Sequence, residues 1–264
     1  LTTDLSKFFY PIYAFFIYWL KKEDRYSLQA PFIAALYQDL KTFLKDPSKQ
    51  HQDLENVRHL LLNDHEVLEI EDYGEGSKKL KKQKFRKTSD ITRHSTTGQK
   101  FSRIYQFFCS LTPALHVLEL GTCVGINTLY LERAVKGDLF SFEGAKALWL
   151  KAQQYRKGQH TTYLLGDIRE ELPLHLQKRP IVDFALIDAT HNYQGTTTYF
   201  KMLLPHLHEG SIIIIADIHW SKEMELAWNE IKIHQLVSLS LDFYECGVLF
   251  FKKGLAKSHY ILSI

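Results

Sequence analysis

The chain predicts a doubly wound α/β fold: a mostly parallel seven-stranded sheet, closed by a C-terminal antiparallel hairpin and preceded by a helical region. Three observations carry this. Apolar runs at 115–120, 139–143, 161–166, 182–187 and 211–216 have helix-length segments between most of them, the pattern of a parallel sheet covered on both faces. A turn of small residues, Gly121-Thr122-Cys123-Val124-Gly125, follows the first run and leads into a helix start. The last two runs, 236–242 and 244–251, have almost nothing between them, and so short a connection demands antiparallel pairing.

Taken in order, residues 1–90 form the helical region and 91–264 the α/β domain. The stretch 8–20 is aromatic-rich, contains Pro11 and stops at Lys21-Lys22. It falls short of the ~18 apolar residues of a membrane span. It also lacks the basic leader and small-residue cleavage site of a signal peptide. A helix packed on the core, or on a second copy to make a homodimer, is the first reading; a helix lying in a membrane interface is the second. Phe32, Leu36, Leu40, Phe43 and Leu44 recur at helical spacing, and Asp46-Pro47-Ser48 ends that helix. Another helix is predicted over 52–71, with Leu54, Val57, Leu61 and Leu68 on one face. Tyr73-Gly74-Glu75-Gly76-Ser77 is a flexible break, followed by the sharpest charge run in the chain, the basic linker 78–87. A helix over 98–110 turns Phe101, Ile104, Tyr105 and Phe108 inward.

Composition sets broad limits. Hydrophobic residues are 45% and charged residues 24%, ordinary for a globular protein able to bury a core. The net charge of +3 is too small to argue for nucleic acid. Cys109, Cys123 and Cys246 are scattered without metal-ligand spacing and cannot all pair, so a reduced, cytoplasmic setting is expected.

The chemistry concentrates at the strand ends. The turn Gly121–Gly125 and Glu143, which ends the next run, are spaced as a nucleoside site requires: glycines admit the ligand and a carboxylate one strand over grips two ribose hydroxyls. The G-x-G-x-x-G spacing of a pyrophosphate site is missing, which disfavours an NAD-linked oxidoreductase. Gly-x-x-x-Gly after the acidic strand end at Glu119 resembles motif I of the class I S-adenosylmethionine-dependent methyltransferases. From Gly98-Gln99 to about Lys252 the chain is similar to the small-molecule O-methyltransferases of the catechol and caffeoyl-CoA type, and more so to relatives with Asp-x-x-His after strand four. The shared features are Leu118-Glu119-Leu120-Gly121, Gly166-Asp167-Ile168 with Leu172-Pro173, and Leu186-Ile187-Asp188 with His191 and Tyr193.

That resemblance implies a Rossmann-like methyltransferase fold and S-adenosylmethionine as cofactor. Its site would use Glu119, Gly121, Thr122, Cys123, Gly125, Asn127, Glu143, Gly144, Asp167, Ile168 and Asp188. Asp167 would accept from the adenine amino group while Ile168 packs on the ring; Asp167 is equally an N-cap of the following helix. His191 stands where metal-dependent relatives carry a catalytic lysine. With an ordinary pKa near ~6.5, histidine can accept an acceptor's proton at pH 7. Asp188 would orient it. Asp188 and Asp217 could hold Mg²⁺, with His219 joining for a softer metal, but Ile218 occupies the place of the relatives' Asn, so metal dependence is not the favoured reading. Tyr193, Tyr199 and Trp220 are the aromatic residues available at the rim.

The first reading is therefore methyl transfer to a small-molecule acceptor, at oxygen. The alternatives are an RNA methyltransferase using the 78–87 run and a cofactor-binding protein that performs no transfer. Phe85 is the only aromatic residue within that run, and Asn-Pro-Pro-Tyr is absent after strand four, so nucleic acid is the weaker partner.

Overall fold

The computed structural model describes residues 2–24, 26–70, 84–156 and 158–264, with side chains from Tyr10 onward in the first helix. Ahead of the sheet lie α1 (Thr2–Lys21), α2 (Pro31–Lys45), α3 (Gln52–Leu62), β1 (Val67–Glu69), β2 (Phe85–Lys87) and α4 (Thr88–Ser95). The chain then alternates through α5 (Gln99–Ser110), β3 (His116–Leu120), α6 (Ile126–Glu132), β4 (Asp138–Glu143), α7 (Lys146–Gln153), β5 (Thr161–Leu165) and α8 (Ile168–Lys178). It continues with β6 (Val182–Ile187), α9 (Tyr193–Leu203), β7 (Leu207–Ala216), α10 (Lys222–Lys232), β8 (Leu239–Asp242), β9 (Cys246–Phe250) and β10 (Ser258–Ile261).

Local chemistry sets several boundaries. α2 starts on Pro31, whose missing N–H is harmless in a first turn. It ends at Asp46, whose side chain accepts from the Ser48 N–H. α3 is shorter than expected, because Asn63 folds back and its Nδ2 donates to the His59 carbonyl at 2.8 Å. Leu68 keeps its predicted burial from strand β1, which alternates outward, inward, outward. The break at 73–77 and the basic run through residue 83 lie outside the described residues. The end of that run forms β2, antiparallel to β1 with Arg86 opposite Leu68.

Among the described residues the main sheet has eight strands in the order β10-β8-β9-β7-β6-β3-β4-β5. β5, β4, β3, β6 and β7 run parallel, and β9 pairs antiparallel with both β7 and β8, as the terminal hairpin predicts. The eighth strand, β10, was not expected; it pairs parallel with β8 and extends the edge. Side chains alternate between two cores. Val117, Phe184, Ile212 and Ile214 join α2 and α5 on one face, while Leu118, Ala185, Ile213 and Ile215 join α8, α9 and α10 on the other. A third cluster unites α3, the β1–β2 pair, α6 and α7 through Leu54, Leu61, Leu68, Ile126 and Leu148.

The N-terminal helices thus complete the cores. Ile33, Leu36, Tyr37 and Leu40 pack with Ile104, Phe108 and Phe250. α1 is fastened by Tyr18, whose hydroxyl donates to the Leu262 carbonyl at 2.6 Å, and by Tyr244, whose hydroxyl donates to the Pro11 carbonyl at 2.8 Å. Strand order reverses between β3 and β6, and in such sheets the crevice beyond the carboxyl ends at that switch is where ligands sit.

Candidate active site

A cavity of about 660 Å³ opens at that crevice. Its floor is the turn after β3. Gly121 has φ +105°, and a Cβ there would lie 2.2 Å from the Asp188 carbonyl oxygen, so only glycine fits. The Gly121 and Thr122 N–H groups donate to the Phe142 carbonyl at 3.0 and 3.1 Å, tying the turn to β4. Glu143, at the end of β4, is pinned at both oxygens: Oε2 accepts from the Cys123 N–H at 2.8 Å and Oε1 from the Ala145 N–H at 2.9 Å. The carboxylate is thereby fixed on the cavity wall.

Asp167 serves as the N-cap of α8, accepting from the Arg169 N–H at 2.8 Å, and it also lines the cavity. Its hydrogen bonds from Arg169 hold its carboxyl below the ordinary range. Ile168 lines the wall beside it.

The loops after β6 and β7 bring three donors together. His191 Nε2 lies 3.7 Å from Asp188 Oδ1, and its Nδ1 lies 3.7 Å from Asp217 Oδ2. Thr190, His191 and Asp217 have φ of 61°, 43° and 56°, left-handed conformations that non-glycine residues rarely adopt and that collect at functional sites. Asp188 also accepts from Asn127 Nδ2 at 3.1 Å and Thr97 Oγ1 at 3.5 Å. Burial raises its pKa to about 7, with repulsion from Asp217 and Glu119 adding to that and attraction from His191 opposing it. One ligand atom from each of Asp188, His191 and Asp217 falls within 4.8 Å of the others, an oxygen–oxygen–nitrogen set that fits a divalent cation. His219 is not part of it: its Nε2 is 2.8 Å from Asp242 Oδ2, and its ring stacks on Tyr244.

Of the residues singled out from sequence, Gly121, Cys123, Glu143, Gly144, Asp167, Ile168, Asp188, His191 and Asp217 line the cavity. Thr122 and Asn127 line a smaller recess that shares Gly121, Cys123, Asp188 and His191 with it. Gly125 and Glu119 line neither; Gly125 opens α6. Glu119 is fully buried between β3, β4 and α6, accepting from Thr128 Oγ1 and Ser141 Oγ at 2.5 Å each. Its Oε1 has no partner among the described residues, and burial raises its pKa to about 8. Tyr199 and Trp220 line the cavity, whereas the Tyr193 hydroxyl bonds Glu230. Cavity residues that sequence reasoning did not single out include Ile70 and Arg86 from the β1–β2 region, Thr96 and Thr97 before α5, and Glu245 in the β8–β9 turn. Only Arg86 left a trace in sequence, and the surrounding basic run masked it.

Residues 118–218 match the family model described as a methyltransferase domain. The match is a likeness of this segment, which is less than half of the chain. Its sheet has the Rossmann-like fold of solved methyltransferase structures. An O-methyltransferase from Bacillus cereus in complex with S-adenosylhomocysteine superposes with a TM-score of 0.53 at 15% identity, over 82% of this chain and 97% of that one. The O-methyltransferase TomG from Streptomyces achromogenes, involved in tomaymycin synthesis and solved with S-adenosylmethionine, gives 0.50 at 14% identity over 60% and 82%. An S-adenosylhomocysteine-bound methyltransferase from Podospora anserina gives 0.51 at 15% identity over 60% and 81%. No curated protein matches the sequence. The matched segment contains Gly121, Cys123, Glu143, Asp167, Asp188, His191 and Asp217, which line the cavity described above.

Proposed function

We propose that this chain transfers a methyl group from S-adenosylmethionine to an oxygen of a small-molecule acceptor, with His191 as the general base. The observation that carries this is Glu143, locked by the backbone N–H groups of Cys123 in the glycine turn and of Ala145 after β4, in one cavity with the Asp188–His191–Asp217 cluster. When bound, S-adenosylmethionine supplies an electrophilic methyl group on a cationic sulfur.

Each side chain then has a task. Glu143 accepts from ribose hydroxyls, and Asp167 with Ile168 faces the adenine edge and ring. Gly121 lets the backbone approach the methionine end, and Asp188 presents negative charge to its ammonium. His191 takes the proton as the acceptor oxygen forms its bond to carbon, and the carboxylates 3.7 Å away on either side stabilise the imidazolium that results. Trp220, whose ring is 5.9 Å from that of His191, walls the acceptor side against water. Positioning of donor and acceptor in line supplies much of the rate.

The same three donors support a second reading. Asp188, His191 and Asp217 would hold a divalent cation such as Mg²⁺, which would polarise the acceptor hydroxyl and leave His191 a ligand instead of a base.

Calorimetry with S-adenosylmethionine and S-adenosylhomocysteine tests the core of the proposal. Both should bind, and Glu143→Ala should weaken each at least about tenfold through loss of charge-assisted hydrogen bonds. Absence of heat with either compound on folded protein overturns the proposal. With an acceptor panel, His191→Ala should lower kcat by about 10²–10⁴ while leaving donor affinity intact. Turnover abolished by a chelator and restored by Mg²⁺ would instead select the metal reading. Donor binding without turnover of any acceptor would favour a non-catalytic role.

A further inference from the structure

The site makes no use of the aromatic face of α1. Tyr18 and Ala14 are buried against the body of the molecule, and the hydrogen bonds to Leu262 and from Tyr244 fix how the helix is rotated. The outward arc is then set. Ile12, Tyr13, Phe16, Trp19 and Leu20 follow one another at helical spacing on a single stripe, each between 52% and 62% exposed. An ordinary exposed surface carries such residues singly; a continuous stripe marks a binding face.

The chemistry of the stripe identifies its occupant. Tyr and Trp combine an apolar ring with a polar tip, the combination enriched at membrane–water interfaces. Lys21 and Lys22 close the stripe, and Lys22 Nζ sits 6.0 Å over the Trp19 ring, so the cationic end is continuous with the aromatic face. Interfaces between proteins are depleted in lysine, whereas an amphipathic helix bearing lysine at its polar edge binds anionic lipid. No described helix is long and apolar enough to span a bilayer.

We infer that α1 is an interfacial helix that docks this enzyme on an anionic phospholipid bilayer through the stripe from Ile12 to Leu20, with Lys21 and Lys22 at the headgroups. The docking face adjoins the active site. Tyr244 contacts Phe15 edge-on at 5.2 Å and bonds Pro11, and the next residue, Glu245, lines the cavity. A bilayer seated on α1 therefore lies on the side of the molecule where Glu245 lines the cavity.

Flotation of the whole chain with vesicles tests this independently of methyl transfer. The chain should float with mixed phosphatidylcholine–phosphatidylglycerol vesicles and much less with phosphatidylcholine alone, the preference falling about fivefold for each of Lys21 and Lys22 replaced by Gln. The pair Phe16→Ser and Trp19→Ser, at exposed positions, should cut binding at least about tenfold at unchanged Tm. Mixed vesicles should shift tryptophan emission to the blue in the parent chain and not in Trp19→Phe. Three results would overturn the inference: no flotation with either vesicle, equal flotation with both, or a dimer in light scattering that the Phe16→Ser, Trp19→Ser variant splits while vesicles leave the parent unbound. The last outcome would assign the stripe to a second copy.

Discussion

Glu119 shows how one side chain is read differently by sequence and by structure. As the acid at the end of β3 it resembles a cofactor ligand, yet its two hydrogen bonds run to Thr128 and Ser141, which tie the start of α6 and the middle of β4 to β3. It therefore braces the frame that holds the glycine turn and Glu143. The brace has a pH signature. An unfolded Glu loses its proton near ~4.3, whereas burial keeps the proton on Glu119 up to about 8. Between those values the folded chain binds more protons than the unfolded chain, so this group lowers stability as pH rises through that window. Asp188, held to about 7, acts with the same sign from roughly pH 4 upward. Glu119→Gln cannot ionise, so its unfolding free energy in urea should decline less between pH 5 and pH 8, by on the order of 3 kcal/mol. Parallel curves for parent and variant would show that the carboxyl ionises freely in the fold. Gly121→Ala acts through shape instead: the added Cβ would strike the Asp188 carbonyl, so donor binding should disappear in calorimetry and Tm should fall.

At the scale of elements, legibility followed burial. β3, β6 and β9 are buried along their whole length, and continuous apolar runs announced them. β10 is four residues of Ser, His, Tyr and Ile at a sheet edge, and its half-buried pattern gives no comparable signal. Leu68 satisfies a helical period from Leu61 as well as a strand alternation, so the end of α3 was decided by Asn63 capping and not by hydrophobicity. The site was legible where a residue ends a long strand, as with Glu143, Asp188 and Asp217. It was not where a loop or short strand reaches in from elsewhere, as with Arg86, Thr97 and Glu245, because no local pattern encodes a distant neighbour. β10 has a consequence of its own. Residues just beyond it receive the Tyr18 and Tyr37 hydroxyls, and the Ile261 carbonyl accepts from the Glu23 N–H at 2.6 Å. Removing residues 254–264 should therefore loosen α1 as well as the sheet edge. Hydrogen exchange should show α1 losing protection while β3 and β6 keep theirs; protected α1 amides in the truncated chain would mean that Tyr244 and Tyr10, whose hydroxyl donates to Glu225, hold the helix unaided.

At the scale of the whole molecule, the change in sequence texture near residue 90 does not coincide with a gap between cores. The apolar faces of α2 and α3 close two clusters whose other walls are α5, α6 and the sheet. Tyr130, at the far end of α6, sends its hydroxyl to Glu55 at 2.6 Å, and Lys151 of α7 is buried with its Nζ 2.9 Å from Asp64. A buried lysine stripped of its carboxylates costs several kcal/mol, about as much as two exposed leucines. Expressed alone, residues 91–264 would carry that charge together with the exposed flanks of Ile104, Phe107, Val124 and Leu148. The expected outcome is one calorimetric transition for the whole chain, with calorimetric and van't Hoff enthalpies equal, and an aggregating 91–264 fragment. Two resolved transitions, or a soluble fragment with native near-ultraviolet circular dichroism, would show that the helical region folds apart from the α/β part of the chain and only rests on it.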